Sequence, residues 1–190
     1  DKEHINPQLI SLEIGHLSIR TSSHFTDMAF YDFKPLDKRG REFDLSKYRN
    51  KVVIVVNTAS KCTFTSQFAE LETLYRDLKA KHSDDIEFIA FPCDQFGHGD
   101  PEANENIQTF CAVNYGVSFP VLGKTDVNGE KAAPLYQWMK NEMPGLMGIR
   151  RVKWNFEKFV IDRNGKVVRR YASTSKPESL KPVILKALQD

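Results

Sequence analysis

The chain has 190 residues, 41% of them hydrophobic and 27% charged, with 27 basic against 25 acidic side chains and a net charge of +2. This is the size and mix of one globular domain with a core of its own. The near balance of charge, with no basic block, gives no case for nucleic-acid binding, and the triplet Arg150, Arg151 and Lys153 reads as a solvated face. No apolar run reaches the length of a membrane-spanning helix, so no stable membrane insertion is expected, and three cysteines suit a reducing compartment better than a secreted disulfide scaffold.

In chain order, residues 1–27 stand apart. Between Ile14 and Thr26 there is no acid, Ser, Thr and His are frequent, and Arg20 is the single basic residue apart from histidine. Two readings stay open: the mature end of an organellar transit peptide, which implies mitochondria, or a disordered tail, which leaves a cytoplasmic protein. Either way the folded domain is expected to span residues 28–190, starting at Met28.

Residues 51–57 carry a β-branched run that reads as a fully buried strand. A polar turn follows, then Cys62, then a helix over 66–81 with Phe68, Leu71, Leu74, Tyr75 and Leu78 on one face and Ser66 as its N-cap. A thiol at the start of a helix meets free N–H groups and the positive end of the helix dipole, which favour the nucleophilic thiolate. The competing reading is a small buried hydrophobe.

A second buried strand spans 86–91, a loop 97–103, a helix 104–113 with Ile107, Phe110 and Cys111 apolar, a short extended piece 117–122 and a helix 133–141. A hairpin follows over 156–171, with Asn164-Gly165 as a tight-turn signal, and then a last amphipathic helix over 177–188. This order predicts an α/β, thioredoxin-like fold, a central mixed β-sheet flanked by helices. Cys62 then sits at the carboxyl end of a central strand, where such sheets keep their sites.

Four stretches stand out: Asn57-Thr58-Ala59-Ser60-Lys61-Cys62, Phe91-Pro92-Cys93-Asp94-Gln95-Phe96-Gly97-His98, Asn114-Tyr115-Gly116-Val117-Ser118-Phe119-Pro120 and Trp154-Asn155-Phe156-Glu157-Lys158-Phe159. Together they closely resemble the glutathione peroxidase family from about Met28 to the C-terminus. The resemblance implies hydroperoxide reduction with Cys62 as the peroxidatic residue and Trp154 and Asn155 beside it. Indole and amide N–H groups can donate to a thiolate or to a peroxide oxygen, which fits those roles. Cys111 matches the resolving cysteine of the two-cysteine, thioredoxin-dependent members, so the resemblance implies a Cys62–Cys111 disulfide recycled by thioredoxin. If α-helix holds Cys111 away from Cys62, that segment must loosen.

Two departures from the family pattern matter. Asp94 stands where the family has Asn, and Gly99-Asp100 replaces Gln-Glu; that Gln is normally the fourth member of the active-site group. Gln95, a backbone amide or water is expected to substitute, or turnover suffers. Thr63 and Ser66 also replace the usual Gly and Pro after the reactive cysteine. Cys93 reads as structural, His98 as a loop residue near the site, and the pair lacks the spacing of a zinc site. Thiol–disulfide exchange needs no metal or organic cofactor, so none is expected.

The stretch from Pro134 to Trp154 lacks the insertion that builds tetramers in glutathione-using members, which implies a monomer with an open site for bulky hydroperoxides. Two other enzyme classes fit less well. Thr65 stands where a CxxC redox motif needs its second cysteine, and Val55 and Ala59 stand where a peroxiredoxin motif has Pro and Thr. A peroxide sensor or redox relay that oxidises a partner protein would use the same cysteines, and remains the alternative to a peroxidase.

Overall fold

Five consecutive β-branched residues, Val52 to Val56, form most of strand β1 (Val52–Thr58), and every residue of that strand is buried. The computed structural model describes residues 28–100 and 103–190; the expected extension over 1–27 lies outside the described residues. β1 can be apolar on both faces because both are covered. Val53 and Val55 face one cluster, with Phe30, Tyr31 and Phe33 and with Tyr136 and Trp138 of helix α3 (Pro134–Glu142). Val52, Ile54 and Val56 face another. Phe68, Leu71 and Leu78 of α1 (Gln67–His82), Ile107 and Cys111 of α2 (Asn104–Tyr115), and Ile184 of α4 (Lys181–Gln189) complete that second cluster. Each such side chain taken fully out of water contributes about 1.5–3 kcal/mol.

The sheet order is β2-β1-β3-β4. β2 (Ile86–Pro92) runs parallel to β1, while β3 (Lys158–Ile161) runs antiparallel to it and pairs with β4 (Val167–Tyr171). This mixed pattern matters for function. The parallel pair ends together, Thr58 opposite Pro92, and the antiparallel β3 begins at that same end, Lys158 opposite Val56. The loops after β1 and β2 and the segment entering β3 therefore meet at one edge.

Three local features differ from the sequence-based expectation. The stretch 117–122 forms only a single bridge, Val121 to Ala90, with Pro120 offering a carbonyl but no N–H. The hairpin turn is wider than a two-residue Asn-Gly turn, because the Asp162 carboxylate accepts from the N–H groups of Asn164 (2.9 Å) and Lys166 (2.8 Å). Only Gly165 there has positive φ (+78°), and a Cβ on it would lie 2.8 Å from the Tyr31 ring, so both backbone and space require glycine. Finally, the last helical stretch opens with a 3-10 turn, Pro177–Leu180, before α4.

Candidate active site

Cys62 stands one irregular turn ahead of α1 and is half-buried. Ser66 does not cap the helix: its side chain makes no capping bond. Thr65 organises the turn instead. Its Oγ1 accepts from the Cys62 N–H (2.8 Å) and donates toward the carbonyls of Cys62 (2.7 Å) and Ala59 (3.1 Å). The Cys62 N–H is thus spent within the loop rather than left free for a ligand.

The partner segment, residues 154–157, is stitched to the end of β1 by Asn57. The Asn57 amide donates to the Trp154 carbonyl (3.1 Å) and its Oδ1 accepts from the Glu157 N–H (3.1 Å). The Asn57 carbonyl takes the Phe156 N–H (2.6 Å). Between these anchors Phe156 adopts a left-handed backbone (φ +64°), a strained conformation for a bulky residue. It is held there by its buried ring, edge-on to Phe68 of α1 at 5.2 Å. The strained turn presents Trp154 and Asn155 at the carboxyl edge of the sheet. Asn57 was not singled out from the sequence, although a lone amide closing an all-apolar strand was a legible signal.

Asn155 is fully buried, and among the described residues neither its Nδ2 nor its Oδ1 has a hydrogen-bond partner. Buried amides are nearly always satisfied, so an unpaired one at a sheet edge is poised for a ligand. Trp154 is 42% exposed, its ring packed on Phe96 with centroids 5.7 Å apart. Phe96 also lines an open cleft of about 550 Å³ with Gln95, Asn128, Gly129, Lys140 and Arg151.

Gly99 joins the pieces. Its carbonyl accepts from the Lys61 N–H (2.7 Å). A Cβ on Gly99 would lie 3.2 Å from the Lys61 carbonyl, 3.2 Å from Ala59 Cβ and 3.4 Å from Asn155 Nδ2. The loop that carries Cys62 and the Asn155 amide therefore close on one glycine, and the missing side chain permits that close approach. Gln95 does not replace it. Its Oε1 accepts from the N–H groups of Val127 (2.9 Å) and Asn128 (3.0 Å), and its Nε2 donates to the Asn128 carbonyl (2.9 Å). The expectation of Gln95 at the thiol is corrected: its Oε1 and one Nε2 N–H are engaged by the Val127–Asn128 backbone.

Cys93 is buried in the first core cluster, its thiol pushed up to about 11 by burial, as befits a structural residue. His98 is exposed, 3.4 Å from Asp94. Cys111 lies on α2, fully buried in the second cluster, and Cys62 packs against that same cluster. Burial, and then the charge of Asp100, push the Cys111 thiol up to about 12. All three cysteines are free thiols.

Comparison with known proteins identifies the family. The family model described as glutathione peroxidase matches residues 30–140. The glutathione peroxidase-like peroxiredoxin HYR1 of Saccharomyces cerevisiae is 47% identical over 161 residues, 85% of this chain and 97% of that protein. The crystal structure of Trgpx in apo form superimposes with a TM-score of 0.75 at 48% identity, covering 86% of this chain and 97% of that one. A thioredoxin family thiol:disulfide interchange protein from Chlorobium tepidum, at 18% identity and a TM-score of 0.57, covers 82% of this chain and 92% of its own and shares the fold alone. The fold is thioredoxin-like, and with matches of this extent the chain belongs to the glutathione peroxidase family.

Proposed function

We propose that this chain is a thiol peroxidase that reduces hydrogen peroxide and organic or lipid hydroperoxides through Cys62 and Cys111. The observation that carries the reading is the convergence, at the carboxyl edge of the sheet, of a half-exposed Cys62, an unpaired buried Asn155 amide and an accessible Trp154. The Cys62 thiolate attacks the terminal peroxide oxygen, the O–O bond breaks, and alcohol or water leaves with a proton. The Asn155 amide and the Trp154 indole N–H supply donors for the charge that develops on oxygen. Cys62 is left as a sulfenic acid.

Cys111 then attacks the Cys62 sulfur, water is released and a disulfide forms. Thioredoxin reduces it by thiol–disulfide exchange, without a metal or organic cofactor. A disulfide needs Cα atoms about 5.5–6 Å apart and an accessible attacking sulfur. Cys111 is fully buried, so α2 must loosen locally for this step. Hydrogen exchange over residues 104–115 tests this: protection should drop in the oxidised protein, and equal protection in both states counts against the Cys111 assignment.

The name of the yeast relative, a glutathione peroxidase-like peroxiredoxin, supports the thiol peroxidase reading. The decisive assay is peroxide-dependent NADPH oxidation coupled through thioredoxin and thioredoxin reductase, with glutathione and its reductase in parallel. Turnover with thioredoxin is the expected result. Absence of turnover with either reductant would put the sensor or relay in front; that reading predicts a mixed disulfide with a partner when Cys111 is replaced by Ser. The domain over 28–190 is read as a monomer, testable by sedimentation. No helix among the described residues is long and apolar enough to cross a membrane. The cytoplasm is the proposed setting, with mitochondria the outcome if residues 1–27 direct import of a fused reporter.

A further inference from the structure

Cys111 lies near the end of α2, with only Ala112 to Tyr115 following it in the helix. A backbone motif closes that end. Gly116 takes the left-handed conformation (φ +67°) and its N–H reaches the Ala112 carbonyl (3.0 Å). The Val117 N–H reaches the carbonyl of Cys111 itself (3.3 Å). Two side chains of α1 hold this motif from outside. Glu72 is buried; its Oε2 accepts from the Ser118 N–H (2.8 Å) and its Oε1 from the Ser118 hydroxyl (2.7 Å). Arg76, one turn further along α1, donates through Nε to Glu72 and through Nη2 to the Gly116 carbonyl (3.2 Å). Val117, whose N–H holds Cys111, is therefore pinned on either side. The Tyr115 ring adds a further hold, packed between Phe68 of α1 (centroids 5.6 Å apart) and Phe110 (5.9 Å).

This geometry bears on how Cys111 leaves the core. Its side chain is fully buried, so the resolving step waits on an opening of α2. Helices open from their ends, where the backbone has fewest bonds to break. From the amino end, everything from Asn104 to Phe110 must unwind before Cys111 is reached. From the carboxyl end, only the closing motif and the turn that carries Cys111 must give way. The shorter route is the one that Glu72 and Arg76 hold shut, and a carboxylate that takes both donors of one serine holds firmly.

We propose that the Glu72–Arg76 pair is a latch on the carboxyl end of α2, and that it sets the rate at which Cys111 is released to meet oxidised Cys62. When the latch lets go, Gly116 and Ser118 come free, the bond from Val117 to the Cys111 carbonyl breaks, and the turn that carries Cys111 unwinds. Glu72 and Arg76 are positioning residues and take no part in the chemistry. The latch also sets how long Cys62 stays a sulfenic acid, open to a second peroxide or to a thiol from outside. The assignment rests on the peroxidase reading above and adds to it the control of the second step.

The test uses the full chain and two readouts. In the reduced protein, labelling by N-ethylmaleimide, followed by mass spectrometry, reads the opening at Cys111. Cys93, buried in the other cluster, is the internal reference. Glu72→Gln keeps the size of the side chain but offers one oxygen instead of two and turns an amide N–H toward Arg76. It should speed labelling of Cys111 about tenfold and leave Cys93 unchanged. Arg76→Met should act in the same direction, and Arg76→Lys should restore much of the hold. In the second arm the reduced proteins are mixed with hydrogen peroxide and followed by rapid-quench mass spectrometry, which reads sulfenic acid and disulfide separately. Sulfenic acid should form at Cys62 at the unsubstituted rate in Glu72→Gln, and its conversion to disulfide should rise about tenfold. Asn104→Ala frees the amino end of α2 from its bond to the Lys124 N–H (2.9 Å) and should change neither readout. Labelling of Cys111 and Cys93 that rises together overturns the proposal, because the substitution then only weakens the fold. A gain from Asn104→Ala with none from Glu72→Gln overturns it too, by placing the opening at the other end. Faster labelling with unchanged or slower conversion overturns the rate-setting role. Absence of sulfenic acid at Cys62 even in the unsubstituted protein removes the peroxidase reading and that role with it, while the labelling arm reports on the latch alone.

Discussion

Replacing Asn57 by Ala removes two hydrogen bonds, a part-buried one to the Trp154 carbonyl and a buried one from the Glu157 N–H, each 3.1 Å long. The Glu157 N–H is left buried and the Trp154 carbonyl part-buried without its partner, at about 1–3 kcal/mol apiece, so the loss should be about 2–6 kcal/mol. That lies within the stability of an ordinary domain, and the variant should fold. The effect on chemistry should be larger than the effect on fold. The turn that holds Trp154 and Asn155 stores strain at Phe156, and Asn57 is its main restraint at the strand end. With that restraint gone the turn relaxes, and a displacement of about 1 Å at a donor can cost about 100-fold in rate. Stopped-flow oxidation of Cys62 by hydrogen peroxide, beside urea unfolding, separates the two effects. Asn57→Asp sharpens the comparison: it keeps an acceptor for Glu157 but sets a carboxylate oxygen against the Trp154 carbonyl, and should react as slowly as the Ala variant. An Ala variant that loses the expected stability yet oxidises at the normal rate would refute the idea that Asn57 positions the donors.

Gly99→Ala should lower stability by about 1–3 kcal/mol through crowding against Ala59 and Lys61, whereas Gly99→Gln, equally crowded, should oxidise Cys62 faster than the Ala variant by offering an amide beside Asn155. Equal rates for the two would show that an added amide does not act there. Thr65→Val removes the hydroxyl that binds the Cys62 N–H and should slow peroxide oxidation at least tenfold at about 1–2 kcal/mol of stability, read by the same two assays. Alkaline stability has a worked sign. Lys158 is buried with its amine lowered from 10.5 to about 8, so the unfolded chain holds that proton more tightly and stability rises above about pH 8, by about 1.4 kcal/mol per unit. Cys93 and Cys111, raised from 9.0 to about 11 and about 12, act the other way: their contribution is whole below 9.0 and falls away above it. Urea midpoints should peak near about pH 9, and Lys158→Met should abolish the rise; a steady decline from pH 8 in the unsubstituted protein would sink the argument.

Strands and helices were legible in the sequence where burial writes a pattern. The β-branched run of β1, the apolar run of β2 and the 3.6-residue stripe of α1 each have one physical explanation. Side-chain direction has no such pattern. Gln95 sits in a stretch shared with the active-site family, but its amide turns to the Val127–Asn128 backbone because loop N–H groups there need an acceptor. Ser66 and Thr65 are chemically alike and adjacent, and the choice between them follows from loop geometry, which brings the Thr65 hydroxyl under Cys62. Asp100 falls in the expected loop over 97–103. Its burial against Ser60 is a long-range contact that no local periodicity records.

Far from Cys62, the Tyr31 hydroxyl lies within 3.0–3.1 Å of three carbonyls, those of Lys51, Asp162 and Arg163, and the Phe30 N–H reaches the Gly165 carbonyl. These contacts fasten the first described residues to the start of β1 and the tip of the hairpin, the end of the sheet opposite Thr58. A tether attached ahead of Met28 therefore leaves the chain at the face pointing away from the reactive thiol. The domain can be immobilised by that end on an electrode or bead with its catalytic edge turned outward, whereas trimming into Phe30 or Tyr31 would remove core side chains along with the handle.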